Sequence, residues 1–381
     1  MRTVQPSIVI GAYTWDQDRL PRDEFQIRID ALHRAMDANG WKAVLVYGDA
    51  AEHAALAYFS NFTPRLRWAM ALLPRRGDPR LVVAMSPRDL PAMRLMTWIE
   101  DIHSEANLKN ALDSWFANFS GSEPIDIGAA GMDLMRPRLF ATLENSLGNR
   151  FRPHSADTAV AACRTARPRA LSLIRASSEL IKTAAEALMK SWRGGIGAET
   201  AGLEAERAAR LRAAQDVRVL TSLDEGRTFS PFRGSLERHG NVLASYLAVK
   251  HLGYWADSFV SSSNGISDVQ RRTEAALIAL FKGAQPGATA GALYRRATDA
   301  LKPYSLHPVL GGSVGNRIGL SLEEGGSLTR DGEAVLAPGD IYTLHVGAYD
   351  FAARGAFASA MIAVTGNGHE LLHRSPDAQS L

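Results

Sequence analysis

A single cysteine, Cys163, in a chain of 381 residues excludes an intrachain disulfide and a cysteine-based zinc cluster, and it fits a reducing compartment. A charge excess is missing too. The 43 Lys and Arg are interspersed with 40 Asp and Glu, for a formal net charge of +3, and no basic run forms a nucleic-acid footprint. No apolar run approaches the ~20 residues of a membrane span. The longest near the N-terminus, Ile8-Val9-Ile10, is also too short for a signal-peptide core. The expectation is a soluble cytoplasmic protein that partners neither nucleic acid nor membrane. What the chain does have is an apolar fraction of 46%, enough for two hydrophobic cores, and a length that favours two domains.

Phe25, Ile29, Leu32 and Met36 recur at helical spacing within 23–39 and Gly40 follows as a stop signal, which predicts an amphipathic helix. A buried strand is expected over 43–47, a helix over 50–59, and a hairpin pairing 69–73 with 81–85 around Arg76-Gly77-Asp78-Pro79. Helices and strands alternate to about residue 155, so this part reads as α/β. After Pro168 a long helical pattern runs through Trp192 to Gly194-Gly195, and another covers 199–214. Strand pairs follow, 242–249 with 254–260 and 341–346 with 357–364, with a helix over 269–282 between them. Helices on one face of an antiparallel sheet make this part α+β. The expected domains are 1–160 and 161–381.

Ordered landmarks in the second half carry a resemblance. They are the 167–188 helix, Gly253-Tyr254-Trp255-Ala256-Asp257, Gly315-Asn316-Arg317-Ile318-Gly319-Leu320, the run from Leu336-Ala337-Pro338-Gly339-Asp340 to His345, and Ile362-Ala363-Val364-Thr365-Gly366-Asn367-Gly368. Over about 165–373 the chain resembles the pita-bread-fold family of creatinase, aminopeptidase P and prolidase. The first half is similar more loosely, through the 25–40 helix, the 44–47 strand and Tyr58-Phe59-Ser60-Asn61-Phe62. The fold implied is an α/β N-terminal domain and an α+β pita-bread C-terminal domain.

In metal-dependent members of that family two Asp, one His and two Glu hold two divalent ions, whose shared hydroxide attacks a peptide carbonyl. Carried over by position, these ligands fall on Tyr246, Asp257, Asn316, His345 and Ser359, and only Asp257 keeps its residue type. Two dications need several carboxylates to neutralise and bridge them, so the expectation is no metal and no cofactor. The family's substrate-side histidine falls near Phe229 and a later one on Glu323.

A turn at Lys250-His251-Leu252-Gly253 would set Tyr246 directly opposite Asp257 and so on the same face. A phenol beside a carboxylate can share or relay a proton. The expected catalytic residues are His345, Asp257 and Tyr246. Each also has a plain structural reading: a satisfied strand histidine, a partner for strand ends, and a space-filling ring. Asn316 and Ser359 are expected at the substrate, or as polar fillers.

Arg317 is an expected carboxylate contact, and Glu323-Glu324 are expected at the cavity mouth. Trp255 is expected on the face of Asp257 or at the rim. Arg65, Arg67 and Trp68 follow the turn from which dimeric relatives reach a neighbouring subunit's site, so a homodimer is implied.

The first function expected is a metal-free lyase, cleaving a C–C or C–X bond of a small, aromatic or anionic catabolite by acid/base chemistry. The alternatives are a creatinase-like C–N hydrolase, a non-catalytic binding protein and a divergent Xaa-Pro metallopeptidase.

Overall fold

The computed structural model describes residues 14–64, 66–121, 124–234, 237, 240–263, 267–350 and 354–376. Ile8 to Ile10 and Arg65 lie outside the described residues. The chain divides into two compact units, Met1–Thr165 and Ala166–Leu381, where the sequence reading puts the division at 160/161.

The first unit is built on a six-stranded sheet of β1 (Ala43–Asp49), β2 (Trp68–Pro74), β3 (Arg80–Val83), β4 (Asp101–Ser104), β5 (Ile125–Ala130) and β6 (Phe151–Ser155), in the order β4-β3-β2-β1-β5-β6. β2 runs antiparallel to β1 and β3, while β4, β5 and β6 join by parallel pairings, giving the expected mixed α/β sheet. The first helix, Arg22–Asn39, buries Phe25, Ile29, Leu32 and Met36 and ends at Gly40 with φ +73°. The next helix starts at Ala54 rather than at 50, because the Asp49 carboxylate accepts the N–H groups of Ala51 and Glu52 and holds a turn there.

In the second unit the helices Pro168–Arg193 and Ala198–Arg210 precede β7 (Asp216–Thr221), β8 (Val242–His251) and β9 (Tyr254–Ser263). The helices Asp268–Gly283 and Ala290–Leu301 then lead to β10 (Gly315–Arg317), β11 (Ile341–Tyr349), β12 (Gly355–Thr365) and β13 (Gly368–Arg374). All the strand pairs are antiparallel, in two sheets ordered β7-β8-β9 and β10-β11-β12-β13. This is the expected α+β arrangement. Among the described residues no helix is long and apolar enough to cross a membrane.

Alternation along β11 and β12 decides what faces the chemistry. Tyr342, Leu344, Val346 and Ala348, with Ala356, Ala358, Ala360, Ile362 and Val364, turn into a core closed by Leu277, Leu280 and Leu293 of the helices. Each Leu or Val buried there contributes about 1.5–3 kcal/mol. The opposite face therefore carries Thr343, His345 and Gly347 beside Phe357 and Ser359, with His345 directly opposite Ser359. A one-residue slip would drive the polar set into the core, which fixes the register.

Gly315 closes β10 onto β11. A Cβ there would meet the Thr343 carbonyl oxygen at 2.2 Å, and its φ of +149° suits only glycine, so this glycine lets Asn316 pair opposite Thr343.

Candidate active site

The β8–β9 hairpin turns at Leu252 and Gly253, with φ of +46° and +91°, so His251 pairs with Tyr254. The turn expected from sequence would have placed positive φ on His251 and Leu252, both with side chains, whereas the observed one puts glycine at the second position. The shift corrects the register. Tyr246 stands opposite Phe259 and Asp257 opposite Ala248. Because the partner changes by two residues, Tyr246 and Asp257 stay on one face as diagonal neighbours.

That diagonal is bridged: the Tyr246 hydroxyl donates to Asp257 Oδ2 at 2.9 Å. Thr343 Oγ1 donates to the other oxygen at 2.5 Å, and His345 Nε2 lies 3.2 Å from Oδ2 and 3.1 Å from Thr343 Oγ1. Thr343 has given its hydrogen to an ionised carboxylate that only accepts, so Nε2 must carry one. His345 Nδ1 meets Ser359 Oγ at 2.8 Å, and that oxygen also accepts the Phe259 N–H at 2.9 Å.

The chain Ser359–His345–Asp257 has the composition of a hydrolytic triad but not its geometry. Ser359 is wholly buried and does not reach the cavity, so it offers no nucleophile.

Burial alone would raise the Asp257 carboxyl, but the attraction and hydrogen bond of His345, with those of Thr343 and Tyr246, outweigh it and hold Asp257 below the ordinary carboxylate range. Burial, then the charge of Asp257 and the bond to it, push the Tyr246 phenol well above its usual value. Tyr246 is thus a neutral donor beside an anion at neutral pH. His373 on β13 is buried, and burial drives its imidazole down to about 4. Its Nε2 has no hydrogen-bond partner among the described residues.

Tyr246, Asp257 and His345 line a cavity of about 470 Å³, together with Phe229, Asn316 and Glu323 from the expected site. Asn316 spends its amide hydrogens on the carbonyls of Arg317 and Leu322, at 2.8 and 2.9 Å, and so ties the loop that shapes the wall.

Several expectations fail. Arg317 is off the wall, its Nε 3.3 Å from Asp340. Glu324 points into its own turn, accepting the N–H groups of Leu320 and Ser321 at 2.6 and 3.1 Å. Trp255 keeps the expected face of Asp257, two residues along β9, but is not on the cavity wall, and its ring lies under Arg218, 4.7 Å away. Arg67 and Trp68, expected at a neighbouring subunit's site that a single chain does not contain, belong to the first unit, where Arg67 pairs with Glu105 at 3.1 Å and Trp68 is buried against Tyr47.

Sequence reasoning also missed residues. Phe259 forms the aromatic wall, with Tyr246 at 4.9 Å and Phe229 at 5.5 Å between ring centroids. Alternation from Asp257 and His345 would have found Phe259 and Thr343. Ser313, Ser327 and Thr329 come from loops with no periodic signal.

Residues 172–366 match the sequence profile of metallopeptidase family M24. The chain belongs to this family. M24 membership agrees with the solved structures it resembles, which share its pita-bread fold. The X-Pro aminopeptidase from Thermotoga maritima has a TM-score of 0.77 at 18% identity, covering 92% of this chain and 98% of that one. The prolidase from Pyrococcus horikoshii gives 0.76 at 16%, over 93% and 100%. The Xaa-Pro dipeptidase from Bacillus anthracis gives 0.74 at 20%, over 93% and 98%. No curated protein sequence matches the chain.

Membership of a metallopeptidase family implies metal, and the described side chains in this cavity do not fit a pair of divalent ions. Among the described residues no three His, Cys, Asp or Glu side chains come together in a way that could hold an ion. Asp257 already accepts three hydrogen bonds, Tyr246 is a protonated phenol, and Asn316 and Ser359 are turned to internal partners. At the five carried-over ligand positions one carboxylate and one imidazole remain, and with Glu323 the only other carboxylate on the described wall they do not neutralise and bridge two dications.

Proposed function

We propose that this M24 protein hydrolyses an activated C–N bond of a small molecule held in the cavity, without a metal. The observation that carries the reading is the Tyr246–Asp257–His345 network on the cavity wall, with an anion and a neutral phenol 2.9 Å apart. Asp257 uses three of about four lone-pair sites, leaving one for a water entering from the cavity. Its proton passes to the Asp257–His345 pair as the oxygen attacks. As Asp257 takes up that proton, Tyr246 releases Oδ2 and turns its single hydroxyl hydrogen to the carbonyl oxygen where charge develops, and the amine departs with the proton taken from water.

General base help is worth about 10²–10⁴ in rate and one oxyanion donor about 10²–10³. Their product, about 10⁴–10⁷, falls at or below the low end of enzymatic accelerations, ~10⁶–10¹⁷, which is why the bond is taken to be more reactive than an ordinary peptide. Membership of a peptidase family supports hydrolysis over the elimination that the sequence reading ranks first, and no finding supports a lyase. A non-catalytic binding role is favoured by one observation, that both ring nitrogens of His345 face protein partners.

The test is mass spectrometry of Xaa-Pro dipeptides and small activated amides and ureides, incubated with protein dialysed against chelator. Turnover should survive the chelator and fall at least about 10²-fold in His345→Ala and Asp257→Asn. Cleavage of Xaa-Pro bonds only after a divalent ion is restored would refute the reading.

A further inference from the structure

The described side chains that line the cavity include no Lys or Arg. They bring two carboxylates, Asp257 and Glu323, and one imidazole, His345. Whichever protonation state His345 holds, the sum is negative. Three aromatic rings face the same space: Phe259 lies 4.9 Å from Tyr246, 5.5 Å from Phe229 and 5.1 Å from His345 between ring centroids. Arg317, the cation of this unit expected from sequence at the substrate, is off the wall beside Asp340. Arg218, whose charge acts on Tyr246, lies over the Trp255 ring and is not part of the wall.

We infer that the cavity takes a cationic small molecule, an amine or quaternary ammonium compound, with the onium group among Phe229, Tyr246 and Phe259 and within the field of Asp257 and Glu323. This rests on the reading of the cavity as the functional site, and it reverses the sign of the anionic substrate expected from sequence. The physical grounds are two. An aromatic face attracts a cation through its quadrupole, and it does so more strongly where water is excluded. A low-dielectric cleft of one sign concentrates ligands of the opposite sign and repels carboxylates. The volume of about 470 Å³ lies within the ordinary range for small-molecule pockets.

Isothermal titration of the full-length protein at low ionic strength tests this with three probes of one shape: choline, its neutral carbon isostere 3,3-dimethylbutan-1-ol, and the anion 3,3-dimethylbutanoate. Choline should bind at least about tenfold tighter than the alcohol, and the carboxylate should not bind. Glu323→Gln, at an exposed position that leaves folding intact, should weaken choline several-fold, and Phe259→Leu should do the same. Equal binding of all three probes, preference for the carboxylate, no choline binding, or a Glu323→Gln variant indistinguishable from the parent would each overturn the inference. Choline binding without any hydrolysis would count against the proposed reaction alone. His345-dependent hydrolysis of an anionic compound by a protein that rejects choline would count against this inference alone.

Discussion

Tyr246 reaches Asp257 across a diagonal of the β8–β9 hairpin, its hydroxyl 2.9 Å from Oδ2, although the residue paired with Asp257 is Ala248. The bond matters because Asp257 is buried, and each donor that holds its charge offsets part of the cost of removing a carboxylate from water.

Tyr246→Phe removes that donor and nothing else of size. Unfolding free energy should fall by about 1–3 kcal/mol, with the slope of the urea transition unchanged, and the Asp257 carboxyl should titrate higher. Urea titrations at several pH values, with carbon-13 shifts of the Asp257 carboxyl, measure both. An unchanged Asp257 titration would mean that Tyr246 does not stabilise its charge.

Ser359→Ala separates a positioning serine from a nucleophile. The hydroxyl touches His345 Nδ1 and the Phe259 N–H but not the cavity, so the variant should lose no more than about tenfold in kcat and keep its KM. A serine-directed fluorophosphonate should leave the parent unlabelled. A loss on the scale of a triad serine, about 10⁶-fold, or covalent labelling of Ser359, would restore the nucleophile.

Stability should fall on the acid side because of His373. Its folded value is held near 4 by burial, against an unfolded value of 6.5, so between those limits only the unfolded chain takes up the proton. The contribution is fully present above pH 6.5 and is lost as pH falls toward 4, by about 3 kcal/mol at 1.36 kcal/mol per unit. Asp257 adds to the loss lower still: its depressed value stabilises the fold above the ordinary carboxylate range, and this is lost as pH falls through the folded value. Thermal melts of the parent and His373→Phe between pH 4 and 7.5 check this, and the variant's curve should be flatter above pH 4.

The sequence was informative wherever period and turn chemistry act locally. The alternation of β11 puts His345 and Thr343 on one face without any structure, and hairpin parity keeps Tyr246 beside Asp257 even when the turn is misplaced by one residue. It was silent on what long loops bring in. Arg317 and Glu324 look like substrate contacts in a glycine-rich segment, yet Arg317 is claimed by the distant Asp340, and Glu324 by the N–H groups of Leu320 and Ser321 in its own turn. Ser313 and Thr329 reach the cavity wall unmarked in the sequence.

Tyr246, Asp257 and His345, onto which the family resemblance carries metal ligands, are tied with Thr343 into one hydrogen-bonded network. Elemental analysis of the full-length protein, saturated with manganese, cobalt or zinc and then dialysed free of excess, tests it most directly. Well below one retained ion per chain is expected, with only weak, readily exchanged binding. Retention of about two tightly held ions per chain, the content of a two-metal site, would contradict it.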